Sequence, residues 1–359
     1  MQTQSNKIDF NGQNIYAGLD VHLKDWKVTI MTEKLTHRTF SQPPKPEALY
    51  HYLKKTFPGG TYHSAYEAGF SGYWIHNKLR NFGINSIVVN PADVPTTGKE
   101  IVMKDDIRDS IKIARSLRNG ELNPIYVPTI PTLEDRTLVR TRTTLVKDLT
   151  RYKNRIKSFL YFHGIEYPEA FSRPQTHWSN RFNKWLEAVE MTEPSGKASL
   201  NILLAQSRYL RASVLQTTKQ IRELTKTSRY KRQHELLRSI PGIGLLTAMI
   251  ILTEIETIDR FDTFDQFCGF IGLVPSTHSS GDHQVIGDIT PRGHSVLRVA
   301  IIESTWMAAR LDPALNKCYH DYCKRMEPNK AIIRIARKLV SRIRFVLKNN
   351  QPYVCSVVK

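Results

Sequence analysis

The chain has 359 residues, 40% of them apolar, which is enough for two or three domains with cores of their own. Lys and Arg number 52 against 33 Asp and Glu, a formal charge of +19, and such an excess suits a polyanion partner because each neutralised phosphate releases counterions. No apolar run approaches the about 18 residues of a membrane span, and the four cysteines lack framework spacing, which argues against a membrane-spanning protein and a disulfide-stapled secreted one.

Residues 1–14 read as a loose polar tail with no signal pattern, consistent with a cytoplasmic protein. From Ile15 onward, "IYAGLDVH", "KVTIMT" and "HRTFSQ" read as three strands. A helix over Glu47–Thr56 follows, then the strand "YHSAYEAG", a helix over Tyr73–Asn81, the buried strand "INSIVVNP" and a helix from Asp106 to Arg118. Three early strands followed by α/β alternation predict a mixed sheet with flanking helices in a domain spanning 15–128.

The stretch from Pro131 to His163 is free of glycine and internal proline. Leu138, Leu145, Leu149, Tyr152, Ile156 and Phe159 recur there at helical spacing. A Pro-containing break and a short Trp178–Val189 segment lead to a second helical pattern over Ala198–Ser228. Two long helices joined in this way predict an antiparallel coiled-coil arm over 129–233.

Residues 234–359 read as mostly helical, interrupted by a polar, glycine-punctuated loop, "GLVPSTHSSGDHQVIGDITPRG". In "LLRSIPGIGLLTAMIIL", Gly242 and Gly244 join two apolar helical stretches. This is either the phosphate-holding turn of a helix-hairpin-helix module or a tight turn with glycines for close packing. Cys318, His320 and Cys323 lie close together without a second ligand pair and read as packing or surface residues.

Two basic stripes stand out. Arg136–Ser158 holds eight Lys/Arg against Asp148 alone, and Lys324–Lys348 holds nine against Glu327 alone. The candidate nucleic-acid contacts are Arg140, Arg142, Lys147, Arg151, Arg155, Gly242, Gly244, Arg292, Arg334, Lys338 and Arg342.

The acids carry the chemistry. Asp20 lies in the first strand and Glu67 at the end of another, while Asp106 and Asp109 share one helix face at i, i+3. Carboxylates in apolar strands are costly without a compensating cation. Acids converging from two strands and a helix form a hard oxygen site for Mg²⁺ or Mn²⁺, the pattern of an RNase H-like nuclease. The competing reading is a helix cap at Asp105 or Asp106 and ion pairs to Lys104 and Arg108; Asp25 and Asp105 are the acids most easily confused with the set.

In order, "GLDVH", "YEAG", "KDDIRDSIKIARSL", "IPGIGLLTA" and "RFDTFDQFCGFIGLVPSTHSSGDHQVIGDITPRGHSVLR" resemble the bridge-RNA-guided DEDD insertion-sequence transposases, a family that includes pilin-gene inverting recombinases. The resemblance implies a RuvC-like domain with an Asp-Glu-Asp-Asp tetrad and a C-terminal transposase domain. It also implies a serine nucleophile that forms a phosphoserine link to DNA, and a tetrad supplied by a partner protomer. Ser280, immediately before Gly281, matches that nucleophile, and Ser279 is the neighbouring alternative. The chain has Ile289-Thr290-Pro291-Arg292-Gly293 where family members often read Ile-Ser-Lys-Arg-Gly.

The expectation is thus a multidomain α/β plus α protein: an RNase H/RuvC-like mixed sheet, a coiled-coil arm and a mostly helical transposase domain. Its expected partners are target and donor DNA, a structured guide RNA and further copies of itself in a dimer or tetramer, with no membrane. The rivals are a metal-only Holliday-junction resolvase or nuclease with structural serines, and a non-enzymatic nucleic-acid scaffold.

Overall fold

The computed structural model describes residues 9–96, 105–280 and 283–355, with the backbone alone at 277–280 and 283–286. The chain divides into two compact units, Met1–Val127 and Pro128–Lys359.

The first unit is built on a five-stranded mixed sheet. Its strands are β1 (Asn14–Val21), β2 (Trp26–Thr32), β3 (Thr36–Gln42), β4 (Thr61–Glu67) and β5 (Asn85–Val89), in the spatial order β3-β2-β1-β4-β5. β1 pairs antiparallel with β2 and parallel with β4; β2–β3 is antiparallel and β4–β5 parallel. The helices are α1 (Pro46–Thr56), α2 (Trp74–Asn81) and α3 (Asp106–Arg118).

The two-residue period of a strand sorts its side chains between the faces. Ile15, Ala17 and Leu19 join Trp26, Val28 and Ile30 in a core closed by Leu49 and Leu53 of α1 and Ile75 and Leu79 of α2. The alternate residues of β1, Gly18 and Asp20, therefore face the other side. There α3 packs on β1, β2 and β4.

That packing depends on Gly18. A Cβ at this position would stand 2.3 Å from the backbone O of Ser110 and 2.3 Å from the backbone N of Ala114, so only glycine lets the helix lie this close. The register is pinned by Ser110, whose hydroxyl meets the Thr29 hydroxyl at 2.8 Å and donates to the Ile107 carbonyl at 2.8 Å.

The second unit is helical apart from one hairpin. Its long helices, α4 (Ile130–Phe162) and α6 (Pro194–Leu224), flank the short α5 (Asn180–Ala188). They run antiparallel, since Arg142 Nε donates to Thr218 Oγ1 at 2.7 Å while Ile156 and Leu160 of α4 share a cluster with Leu200 and Leu204 of α6. Phe171, Phe182, Leu186 and Val189 complete the buried part of that cluster. The remaining helices are α7 (Lys231–Arg238), α8 (Leu245–Ile255), α9 (Phe264–Ile271), α10 (Ser295–Leu311), α11 (Pro313–Cys323) and α12 (Pro328–Asn349). They enclose the largest core, which also takes Val139 of α4 and Ile221 of α6. The two long helices are thus rooted in the same core as the C-terminal helices.

The segment read as a polar loop is instead a two-stranded antiparallel sheet, β6 (Pro275–Ser280) and β7 (His283–Ile289). Sequence missed it because few of its residues are apolar, so no alternation marks the strands. Arg337 of α12 anchors its base by donating to the Leu273 carbonyl at 2.8 Å, and Arg298 of α10 by donating to the Thr290 carbonyl at 2.6 Å. Among the described residues no helix is long and apolar enough to cross a membrane.

Candidate active site

The parallel pairing of β1 with β4 ends its register at Leu19 opposite Tyr66, one residue short of Asp20 and Glu67. Both carboxylates therefore sit at the C-terminal ends of neighbouring parallel strands, on the face that α3 covers. Such strand ends are where open α/β sheets bind their ligands. Asp105 caps α3, its carboxylate accepting from the Ile107 N–H at 3.2 Å. This settles which acid is the cap and leaves Asp106 and Asp109 as the acids of the first turn. Asp25 is accounted for by an ion pair with Lys27 at 2.7 Å.

Two basic side chains tie the acids together. His22 Nε2 lies 3.0 Å from Asp20 and 3.6 Å from Asp106, and these three residues could hold a metal ion between them. Lys112, only 8% exposed, places its ammonium 3.1 Å from Asp109 and 3.7 Å from Glu67. Burial pushes the Asp20 carboxyl up from its ordinary value. His22 opposes that shift by charge and hydrogen bond, while the nearby Asp106 and Asp109 reinforce it. A partly buried carboxyl with two further acids nearby is a place where a cation is favourable. Two carboxylates and an imidazole fit Mg²⁺ through oxygen and accommodate Mn²⁺ through the added nitrogen. His22 and Lys112 were not singled out from sequence. "DVH" and the i, i+3 spacing of Asp109 and Lys112 were the available signals.

In the second unit a buried carboxylate organises the base of the basic stripe. Glu254 of α8, 2% exposed, accepts from Arg140 Nε at 2.7 Å and Arg140 Nη2 at 2.8 Å, with Arg136 Nε at 3.3 Å and His294 Nε2 at 3.0 Å. The His294 Nδ1 accepts from the Leu297 N–H and so caps α10, which places the ring proton on Nε2, facing Glu254.

Burial alone would push the Glu254 carboxyl up. The hydrogen bonds from His294 and Arg140 outweigh it and hold the group at about 2, below its ordinary 4.5. A depressed carboxyl contributes stability that is present above its unfolded value and lost as pH falls toward the folded one, here about 3 kcal/mol between roughly pH 5 and pH 2. Denaturant unfolding across that range should show the wild type losing stability more steeply than Glu254→Gln. At pH 7 the variant should be less stable by about 3–5 kcal/mol, because Arg136 loses its charge partner inside the fold. Parallel pH profiles would contradict this assignment.

The remaining basic candidates divide by what their side chains do. Arg140 is committed to Glu254, Arg142 to Thr218, and Arg342 turns inward, its Nε donating to the Tyr353 hydroxyl at 2.8 Å and lying 3.7 Å from the buried Asp312. Lys147, Arg151 and Arg155 form an exposed row along α4, with Arg151 paired to Asp148 and Arg155 stacked on Tyr152. Arg334 and Lys338 are exposed one turn apart on α12, and Arg292 is exposed after β7.

Gly242 serves packing. Its φ is +88°, and a Cβ would meet the Ser304 carbonyl of α10 at 2.5 Å. Gly244 is the exposed N-cap of α8. Ser280 ends β6 opposite His283, and its side chain lies outside the described residues, as does that of Ser279.

Two family models match this arrangement at its two ends. A DEDD-type model described as a transposase covers residues 17–164, and the model described as the Transposase IS116/IS110/IS902 family covers 234–320. The chain belongs to this transposase family. The first match carries all four acids and the second carries the β6–β7 hairpin with Ser280.

Related proteins include the transposase for insertion sequence element IS1111A of Coxiella burnetii, 26% identical over 80% of this chain and 78% of that protein. The transposase for IS1533 of Leptospira borgpetersenii is 27% identical over 68% of this chain and 70% of that protein. The Sinorhizobium fredii protein y4qE is 30% identical, and its match spans 70% of this chain but only 60% of y4qE.

Proposed function

We propose that this transposase-family chain cuts and rejoins DNA strands for an insertion sequence, guided by a structured RNA that pairs with target and donor DNA. The observation that carries the reading is the meeting of Asp20, Glu67, Asp106 and Asp109 at the ends of β1 and β4 beneath the first turn of α3. Support comes from the strand order β3-β2-β1-β4-β5, the arrangement expected of an RNase H/RuvC-like domain.

In this reading the four acids line the site for Mg²⁺ or Mn²⁺. When bound, the ion lowers the cost of charge on the scissile phosphate and the departing oxygen. Asp20, Asp106 and His22 would hold it. The Ser280 Oγ attacks the phosphorus and gives up its proton. The P–O bond to the departing sugar breaks, and that sugar leaves as a hydroxyl, with a phosphoserine link retained until a new strand end displaces it. The phosphodiester energy is conserved in the link, so rejoining needs no added nucleotide.

The exposed rows Lys147–Arg151–Arg155 and Arg334–Lys338, together with Arg292, grip nucleic-acid backbones. The α4–α6 pair serves as a coiled-coil arm between copies in a dimer or tetramer. The protein works in a prokaryotic cytoplasm, at the nucleoid while acting.

The test is strand exchange on DNA carrying the element's ends, supplied with RNA transcribed from the element's flanking sequence. Exchange is expected with Mg²⁺ and RNA together and not when EDTA replaces Mg²⁺ or the RNA is left out. Undiminished exchange in EDTA would overturn the metal role, and exchange without RNA would overturn the guide.

A further inference from the structure

We propose that Lys112 is a built-in cation of the acidic site, and that the site consequently takes a single divalent ion, on its Asp20–Asp106 side. This rests on the metal-site reading above and refines it.

The four acids fall into two halves with different partners. Asp20 and Asp106 meet across His22, whose ring nitrogen is 3.0 Å and 3.6 Å from them. Glu67 and Asp109 meet across the Lys112 ammonium, at 3.7 Å and 3.1 Å. A two-ion site would place its second ion, about 4 Å from the first, among the oxygens that Lys112 already bridges. An ammonium and a divalent ion sharing those oxygens repel each other at short range.

Lys112 has little room to withdraw. It is 8% exposed and projects from α3, whose approach to the sheet is fixed by the Gly18 contact and by the Thr29–Ser110 hydrogen bond. The alternative partner of a buried lysine is water, which that burial largely excludes. Lys112 thus fixes the Glu67 and Asp109 carboxylates by hydrogen bond and charge, and acts as a positioning residue. His22 is 45% exposed in its side chain, so its ring can shift to admit an ion between Asp20 and Asp106 and stay beside it as a third ligand.

The experiment is Mn²⁺ binding to the full chain by calorimetry and electron paramagnetic resonance, with Asp20→Asn as the reference for ions bound elsewhere. The expected result is one Mn²⁺ above the reference in the wild type, with an uncoupled spectrum. Lys112→Met should bind two, with the exchange-coupled spectrum of a close pair, while Lys112→Arg should again bind one. Two coupled ions in the wild type would overturn the proposal, as would a folded Lys112→Met that still binds one. The wild-type count decides the matter even if Lys112→Met does not fold. A wild type that binds no more Mn²⁺ than Asp20→Asn would overturn the metal reading itself, and this inference with it.

Discussion

Asp20→Asn is expected to lower Mg²⁺-dependent strand cleavage by about 10³-fold or more while leaving the protein at least as stable as the wild type. The two halves of this expectation share one cause. Asp20 ends a central strand, and burial, with Asp106 and Asp109 nearby, raises its carboxyl above the ordinary value despite His22. For a carboxyl raised in the folded state, stability falls as pH climbs from the unfolded value through the folded one, because the folded chain then binds more protons. At neutral pH the ionised group is therefore a cost to the metal-free fold, and Asn removes it while keeping the shape. Added Mg²⁺ should raise the Tm of the wild type and leave that of Asp20→Asn unmoved. A variant that cleaves within a few-fold of the wild type would place the chemistry elsewhere.

Much of this site was legible in the sequence. Carboxylates inside apolar strands are rare enough to mark Asp20 and Glu67, and the i, i+3 spacing marked Asp106 and Asp109. The predicted helix over Asp106–Arg118 has those bounds in the structure, because capping and helical periodicity are local properties. What was not legible depends on contacts distant in sequence. Nothing near Gly18 announces that Ser110 and Ala114 will press against it. Lys112 counted as one more cation until the fold placed it between two acids. Charge runs also do not reveal that Glu254 and Asp312, buried beside Arg140 and Arg342, pair with those two members of the basic stripes. The β6–β7 hairpin escaped notice because its strands are polar and its base is held by Arg298 and Arg337, which are distant from β6 in sequence.

The second large effect is expected at Ser280. A serine hydroxyl is a weak nucleophile until something activates it. Ser280→Ala removes a single oxygen at the end of β6, and thermal melts of the variant beside the wild type separate a loss of folding from a loss of chemistry. If Ser280 attacks the phosphorus, the same change removes the only atom able to form the protein–DNA bond, and cleavage and rejoining both stop. If metal-activated water attacks instead, the acids are required and the serine is not. The pair of variants therefore separates the two chemistries, since Asp20→Asn is inactive under both and Ser280→Ala under one.

The account is tested most directly by trapping the protein on DNA that carries a recombination site, in Mg²⁺ and with its RNA, and mapping the attached residue by mass spectrometry. The account predicts a phosphodiester adduct at Ser280 that disappears in Ser280→Ala, with Ser279→Ala still forming it. Strand cleavage that continues in Ser280→Ala without any adduct would contradict it.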